Sequence, residues 1–77
     1  MQAPNASLQE AIGVVVNGEA LSLARGLAVA ALLEQRGLAG KRVAVERNGE
    51  IVPRGLRART VLAEGDRIEI VVAVGGG

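Results

Sequence analysis

The segment RIEIVVAV, residues 67–74, is the longest strand-like run in the chain, and three glycines follow it at 75–77. Ile68, Ile70 and Val72 recur at every second position, which is the period of a β-strand, so we expect this set to face a helix. The second half of the run is apolar at every position. One interpretation of this pattern is a central strand that is buried on both faces.

The same alternation places Val71 and Ala73 on the opposite face of the strand, where Val15 and Ala44 are the expected neighbours. Upstream, two Asn-Gly pairs predict hairpin turns, because both residue types tolerate positive φ. The first hairpin is expected within 12–24.

The second hairpin is expected within 42–52, where Pro53 ends its second strand. Between the hairpins, residues 27–36 predict a helix, because Val29, Leu32 and Leu33 share one face. Gly37 supplies a suitable C-terminal residue for it.

The predicted order is hairpin, helix, hairpin and strand. A lone amphipathic helix must bury its apolar face on a sheet. We therefore predict an α+β fold of the ubiquitin-like β-grasp type, with a mixed sheet of four to five strands and one helix on one face. The alternative is a ferredoxin-like fold, which needs a second helix. Residues 54–66 are too rich in Arg, Gly and charge to form that helix, and 54–59 are expected to be irregular.

The expected organisation is a flexible N-terminal extension over 1–11, a β-grasp domain over 12–74 and a flexible glycine tail over 75–77. No apolar run reaches the ~20 residues that a membrane span needs. Residues 1–11 lack the basic start and apolar stretch of a signal peptide. A cytoplasmic protein is therefore expected.

The composition excludes several function classes. The 77 residues include no Cys, His, Phe, Tyr or Trp, and the formal net charge is +1. Disulfides, thiolate zinc sites and thiol catalysis are excluded, and the most common general base is missing. The small charge and the lack of aromatics argue against nucleic-acid binding.

Side-chain catalysis also has little support. Ser7, Ser22 and Thr60 have no His partner to activate them. The carboxylates fall mostly in turns or on the polar sides of strands, where solvation accounts for them. Glu46 and Glu50 are interspersed among the arginines over 42–59, which favours a solvated face over the alternative of a docking patch for an acidic partner. We expect no catalytic side chain and no metal site.

The glycine tail has two interpretations. It is either the frayed end of a buried strand or a segment that a partner threads through a narrow channel and holds by main-chain hydrogen bonds, since glycine has no Cβ. In the second case the reactive group is the terminal carboxylate of Gly77.

Several segments together resemble the thiamine-biosynthesis sulfur carrier family, ThiS, over about residues 12–77. They are VNGE (16–19), VAALL (29–33), VERNGEIVPR (45–54), LAEGDRIEI (62–70) and VAVGGG (72–77). The resemblance implies a carrier rather than an enzyme, and a monomer when alone. A ThiF-type enzyme would use ATP to adenylate Gly77. A persulfide from a cysteine desulfurase would then convert the carboxylate to a thiocarboxylate, and thiazole synthase would accept the sulfur.

In this scheme Gly75 and Gly76 lie in the partner's active site, and the chain binds no cofactor of its own. The residues expected at the partner interface are Val15, Ala44, Arg54, Val71, Val72, Ala73 and Val74. Three alternatives remain open: the small subunit of molybdopterin synthase, a sulfur carrier for another product, and a ubiquitin-like docking module without acyl chemistry.

Overall fold

In the computed structural model, residues 11–73 are described, and they form a five-stranded mixed sheet with one α-helix on one face. The elements in chain order are β1 (Ala11–Val16), β2 (Glu19–Ala24), α1 (Val29–Gln35), β3 (Val43–Arg47), β4 (Glu50–Ile51), a 3₁₀ helix (Arg54–Arg59) and β5 (Arg67–Val72). The strand order is β2-β1-β5-β3-β4. The last strand is central, as predicted, and runs parallel to β1 and antiparallel to β3. It is not buried on both faces, because Arg67, Glu69 and Val71 are exposed on the face away from the helix.

Both hairpins form at the predicted Asn-Gly pairs. The φ angles are 50° and 84° at Asn17 and Gly18, and 52° and 88° at Asn48 and Gly49. Two consecutive left-handed residues give the turn type whose twist matches that of antiparallel strands. β1 begins at Ala11, one residue before the predicted domain boundary.

The core lies between α1 and one face of the sheet, and it is made entirely of aliphatic side chains. Its buried members are Ile12, Val14, Val16, Val29, Leu32, Leu33, Val45, Val52, Leu62, Ile68 and Ile70. Burial of each such side chain contributes about 1.5–3 kcal/mol. The predicted alternation in β5 holds for Ile68 and Ile70. Val72 lies on the same face as these two residues, but the expectation that it packs against the helix is wrong, since its side chain is 46% exposed. Pairing with β1 stops at Val16–Ile68 and leaves the end of β5 uncovered on the side of β1.

The helix is shorter than predicted, and backbone groups of another segment hold its first turn. Ala28 makes no side-chain cap. Instead, the Val29 N–H donates to Thr60 O at 2.9 Å. At the other end Gly37 has a φ of +73°, and the Leu38 N–H donates to Leu33 O at 2.8 Å. This arrangement is a Schellman motif, and it confirms the role predicted for Gly37.

Residues 54–59 are not irregular, as the sequence suggested, but form a 3₁₀ helix. Pro53 begins it with a φ of −59°, and its carbonyl accepts the Leu56 N–H at 2.9 Å. The Thr60 hydroxyl donates to Leu56 O at 2.7 Å and closes the last turn. Within residues 11–73 there is no second α-helix, so the ferredoxin-like alternative is not adopted. No helix in this part of the chain is long and apolar enough to cross a membrane.

Candidate functional site

The carboxyl end of β5 carries the most exposed large apolar side chain of the described residues, Val71, which is 64% exposed. Val71 lies opposite Ala44 in the ladder with β3, and Val72 lies opposite Val43. Binding of a partner protein would remove this apolar surface from water, which is favourable. The exposed end of the strand is therefore a candidate docking surface, directly before the glycine tail.

A cavity of about 350 Å³ occupies this surface. The residues that line it are Arg42, Val43, Ala44, Arg54, Val71 and Ala73. We call this set the β5 patch. Four of its residues were expected at a partner interface, and they come from three separate segments of the sequence: Ala44, Arg54, Val71 and Ala73.

The other expected interface residues do not line the β5 patch. Val15 shares the face of the sheet with Val71, but it pairs with Arg67, four positions earlier in β5. At about 3.3 Å per residue, this places Val15 roughly 13 Å from the patch along the strand. Val72 lies at the same end of β5, with its side chain on the opposite face. Val74, Gly75, Gly76 and Gly77 lie outside the described residues.

Two exposed arginines, Arg42 and Arg54, give the apolar patch a cationic rim. Arg54 begins the 3₁₀ helix, and Arg57 holds that helix against the sheet by donating from Nη2 to Val43 O at 2.7 Å. From the sequence, Arg57 was expected on a solvated face with the other arginines, and this positioning role was not predicted. The sequence feature that could have indicated this role is the three-residue spacing of Arg54 and Arg57. It places both arginines on one face only if the segment forms a 3₁₀ helix.

A buried carboxylate fixes the start of β5. Asp66 is 5% exposed and accepts hydrogen bonds from Arg47 Nε at 2.8 Å, Asn48 Nδ2 at 2.9 Å and the Ala63 N–H at 2.8 Å. Burial raises the pKa of Asp66, but the hydrogen bonds from Asn48 and Ala63, together with the bond and positive charge of Arg47, lower it overall from its ordinary value. The ionised form of Asp66 is thus the form that the fold stabilises.

The two hairpin asparagines hold β5 from both sides, a role that their local sequence does not indicate. Asn48 Oδ1 accepts the Arg67 N–H at 2.9 Å. On the other flank, Asn17 Oδ1 accepts the Ile70 N–H at 2.7 Å, and Asn17 Nδ2 donates to Ile70 O at 3.2 Å. The strand that leads to the tail is therefore fixed by side chains as well as by its ladders.

A central strand that passes between two hairpins, over one helix, and ends in an exposed apolar patch defines a protein of the ubiquitin-like β-grasp class. The ThiS family model matches residues 5–77, and the chain belongs to the ThiS family. A solved structure agrees, because the chain is similar to the thiamine biosynthesis protein ThiS from Geobacter metallireducens. The two are 33% identical with a TM-score of 0.73, over 86% of this chain and 100% of that one.

Among curated proteins, the chain is 44% identical over 64 residues to a thiazole synthase from Paramagnetospirillum magneticum. It is 44% identical over 62 residues to a thiazole synthase from Magnetococcus marinus. The matches cover 83% and 80% of this chain but only 20% and 19% of the two relatives. The chain thus spans about a fifth of the length of these proteins. An uncharacterised protein, ycf40 of Porphyra purpurea, is 32% identical over 86% of this chain and 93% of its own length.

Proposed function

We propose that this chain is a sulfur carrier in thiamine biosynthesis and that the carboxylate of Gly77 carries the sulfur. Membership of the ThiS family is the observation that carries the proposal. The similar structure from Geobacter metallireducens is that of a thiamine biosynthesis protein, which supports the same pathway. The chain supplies the carboxylate and the surfaces that position it, and the partners supply the catalytic groups.

In the first step, an activating enzyme of the ThiF type binds ATP, and an oxygen of the Gly77 carboxylate attacks its α-phosphorus. Pyrophosphate leaves, and an acyl-adenylate forms. The terminal sulfur of a persulfide, provided by a cysteine desulfurase, then attacks the acyl carbon and displaces AMP. A thiol cleaves the resulting S–S bond, which releases the thiocarboxylate and forms a disulfide. Gly75 and Gly76 favour these steps because they add no side chains near the reacting carbon.

Thiazole synthase is the proposed acceptor of the sulfur. Two thiazole synthases contain a segment that is 44% identical to this chain, which supports a joint role of the carrier domain and the synthase. The β5 patch is the proposed docking surface for the partners, since it lies directly before the tail and combines an apolar centre with the cations of Arg42 and Arg54. Apolar contact provides affinity, and the cationic rim orients an acidic partner surface.

Transfer of labelled sulfur tests this function. The chain is first charged with isotopically labelled sulfur and then mixed with thiazole synthase and its small-molecule substrates. We expect the label in the thiazole product. A variant that lacks Gly77, treated in the same way, should deliver none. If the charged chain delivers label to a molybdopterin precursor and none to thiazole, the carrier serves the other pathway.

A further inference from the structure

The main chain of Val72 faces away from β3. The Asn48 N–H donates to Arg67 O at 2.8 Å, and the Ala73 N–H donates to Arg42 O at 2.9 Å. In an antiparallel ladder, hydrogen-bonded and non-hydrogen-bonded pairs alternate, so the odd-numbered residues of β5 bond to β3. Val72 is therefore a non-hydrogen-bonded partner of Val43, and its N–H and C=O point to the side of β1.

On that side, β1 ends before it reaches Val72. The Val15 N–H donates to Asp66 O at 2.9 Å, and the Asn17 N–H donates to Ile68 O at 2.8 Å. The chain then enters the hairpin turn, and the Asn17 side chain, in place of a neighbouring strand, makes the hydrogen bonds to the Ile70 N–H and C=O. Among residues 11–73, the sheet register places no strand opposite Val72 on this side. The sheet thus has an open main-chain edge at the point where β5 leads into the tail.

We propose that this edge pairs with an extended segment of the activating enzyme, so that β5 is continued as a strand between the two proteins. The inference rests on the proposed function and specifies how the enzyme recognises the tail. Gly77 lies five residues beyond Val72, which is at most about 17 Å of extended chain. An enzyme that reaches the Gly77 carboxylate must therefore come within about 17 Å of Val72, close enough to contact this edge.

The chemistry of the tail favours main-chain recognition. Glycines offer no side chains to grip, so the groups available to an enzyme are peptide N–H and C=O groups, which a neighbouring strand pairs efficiently. The exposed side chains of Val71 and Val72 flank the edge on opposite faces and would pack against the added strand.

The curated relatives favour the activating enzyme over thiazole synthase as the protein that pairs with this edge. In the two thiazole synthases, the segment similar to this chain is part of the same polypeptide. A synthase can therefore receive the tail through a covalent tether. An enzyme outside that polypeptide has to recognise the carrier domain by its surface and main chain.

The substitution Val72→Pro tests the edge because it removes one N–H and keeps an apolar side chain of similar size. That N–H lies outside the ladder with β3, so the fold should tolerate proline as an edge strand does. The matched control is Val72→Ala, which trims the side chain and keeps the N–H. Replacement of the Val72 amide by an ester, made by semisynthesis, removes the N–H without the proline ring and serves if Val72→Pro does not fold.

The readout is the KM for the carrier in ATP–pyrophosphate exchange by the ThiF-type enzyme, with thermal unfolding as the test of folding. We expect the KM of Val72→Pro, or of the ester, to exceed that of Val72→Ala by roughly tenfold. The carrier loses the Val72 N–H as a donor, and the enzyme carbonyl that would accept it is left unpaired. Equal KM values for Val72→Pro and Val72→Ala would contradict strand pairing at this edge and would leave the proposed function intact. A defect confined to sulfur transfer to thiazole synthase would overturn the choice of occupant. If the wild-type chain supports no exchange, the proposed function and the inference both fail.

Discussion

Asn17 Oδ1 accepts a hydrogen bond from the Ile70 N–H at 2.7 Å, although 53 positions separate the two residues in the chain. Asn17 is also the first residue of a hairpin turn, with a φ of 50°. One side chain thus joins the turn of the first hairpin to the middle of the last strand. It ends the pairing between β1 and β5 and fixes where the open part of β5 begins.

The substitution Asn17→Gly should destabilise the fold by about 1–3 kcal/mol, because it leaves the Ile70 N–H and C=O without their partners. Glycine tolerates the positive φ of this turn, so the backbone conformation itself is not strained. Urea unfolding measures the change. Asn17→Asp is the matched variant, since it keeps the oxygen that accepts the Ile70 N–H, and it should lose less stability than Asn17→Gly. Equal losses would contradict the role of the Ile70 N–H bond.

The stability of the chain should fall in acid partly through Asp66. Its pKa in the folded state lies below the ordinary value of 3.8, so the ionised carboxylate stabilises the fold. This contribution is fully present above the unfolded-state pKa and is lost as the pH falls through the lower folded-state pKa. Urea unfolding at a series of pH values should therefore show that the free energy of unfolding of the wild type exceeds that of Asp66→Asn at pH 7. The difference between the two should be smaller near pH 3. A difference that is constant over this range would contradict the argument.

The substitution Val71→Glu should weaken binding to the proposed activating enzyme tenfold or more, because it places a charge within the β5 patch. Val71 is 64% exposed, so the free energy of unfolding should change by only about 0.5 kcal/mol. Ile51→Glu is a matched control, since Ile51 is 61% exposed and lies on the edge strand β4. Calorimetric titration measures both affinities. Equal weakening by the two variants would show that the β5 patch has no special role.

The substitution Arg54→Ala should slow association with the proposed activating enzyme, and the effect should shrink as salt is raised. Arg54 lines the β5 patch, whereas Arg59 is an exposed arginine at the other end of the same 3₁₀ helix. Arg59→Ala therefore removes the same charge at a different position. Stopped-flow association rates at low and high salt compare the two. If both variants slow association equally, the effect belongs to the net charge and not to the patch.

The fold was predictable because its strongest local signals agree with one another. Two Asn-Gly pairs, the spacing of Val29, Leu32 and Leu33, and the alternation in β5 each specify one element, and together they allow one compact arrangement. The 3₁₀ helix was missed since it depends on contacts over a distance, such as the bond from Arg57 Nη2 to Val43 O. Periodicity in the sequence does not report such contacts.

The candidate site was predictable only in part. Alternation in β5 correctly placed Val71 on the face opposite the core, and the register then brought Ala44 next to it. Val15 was placed on the correct face, but its position along β5 depends on the parallel register, which the sequence does not specify. The buried Asp66 and the side-chain bonds of Asn17 were not predicted, because turn residues are recognised by their local conformation and not by distant partners.

The proposed function depends on conversion of the Gly77 carboxylate to a thiocarboxylate, and the intact mass of the chain detects this conversion. The purified chain is incubated with ATP, a ThiF-type enzyme, a cysteine desulfurase, cysteine and a thiol reductant. We predict a mass gain equal to the exchange of one oxygen for sulfur, which should be absent without ATP and in a variant that lacks Gly77. An unchanged mass with several such enzymes, each active on its own carrier, would contradict the account and favour a docking module without acyl chemistry.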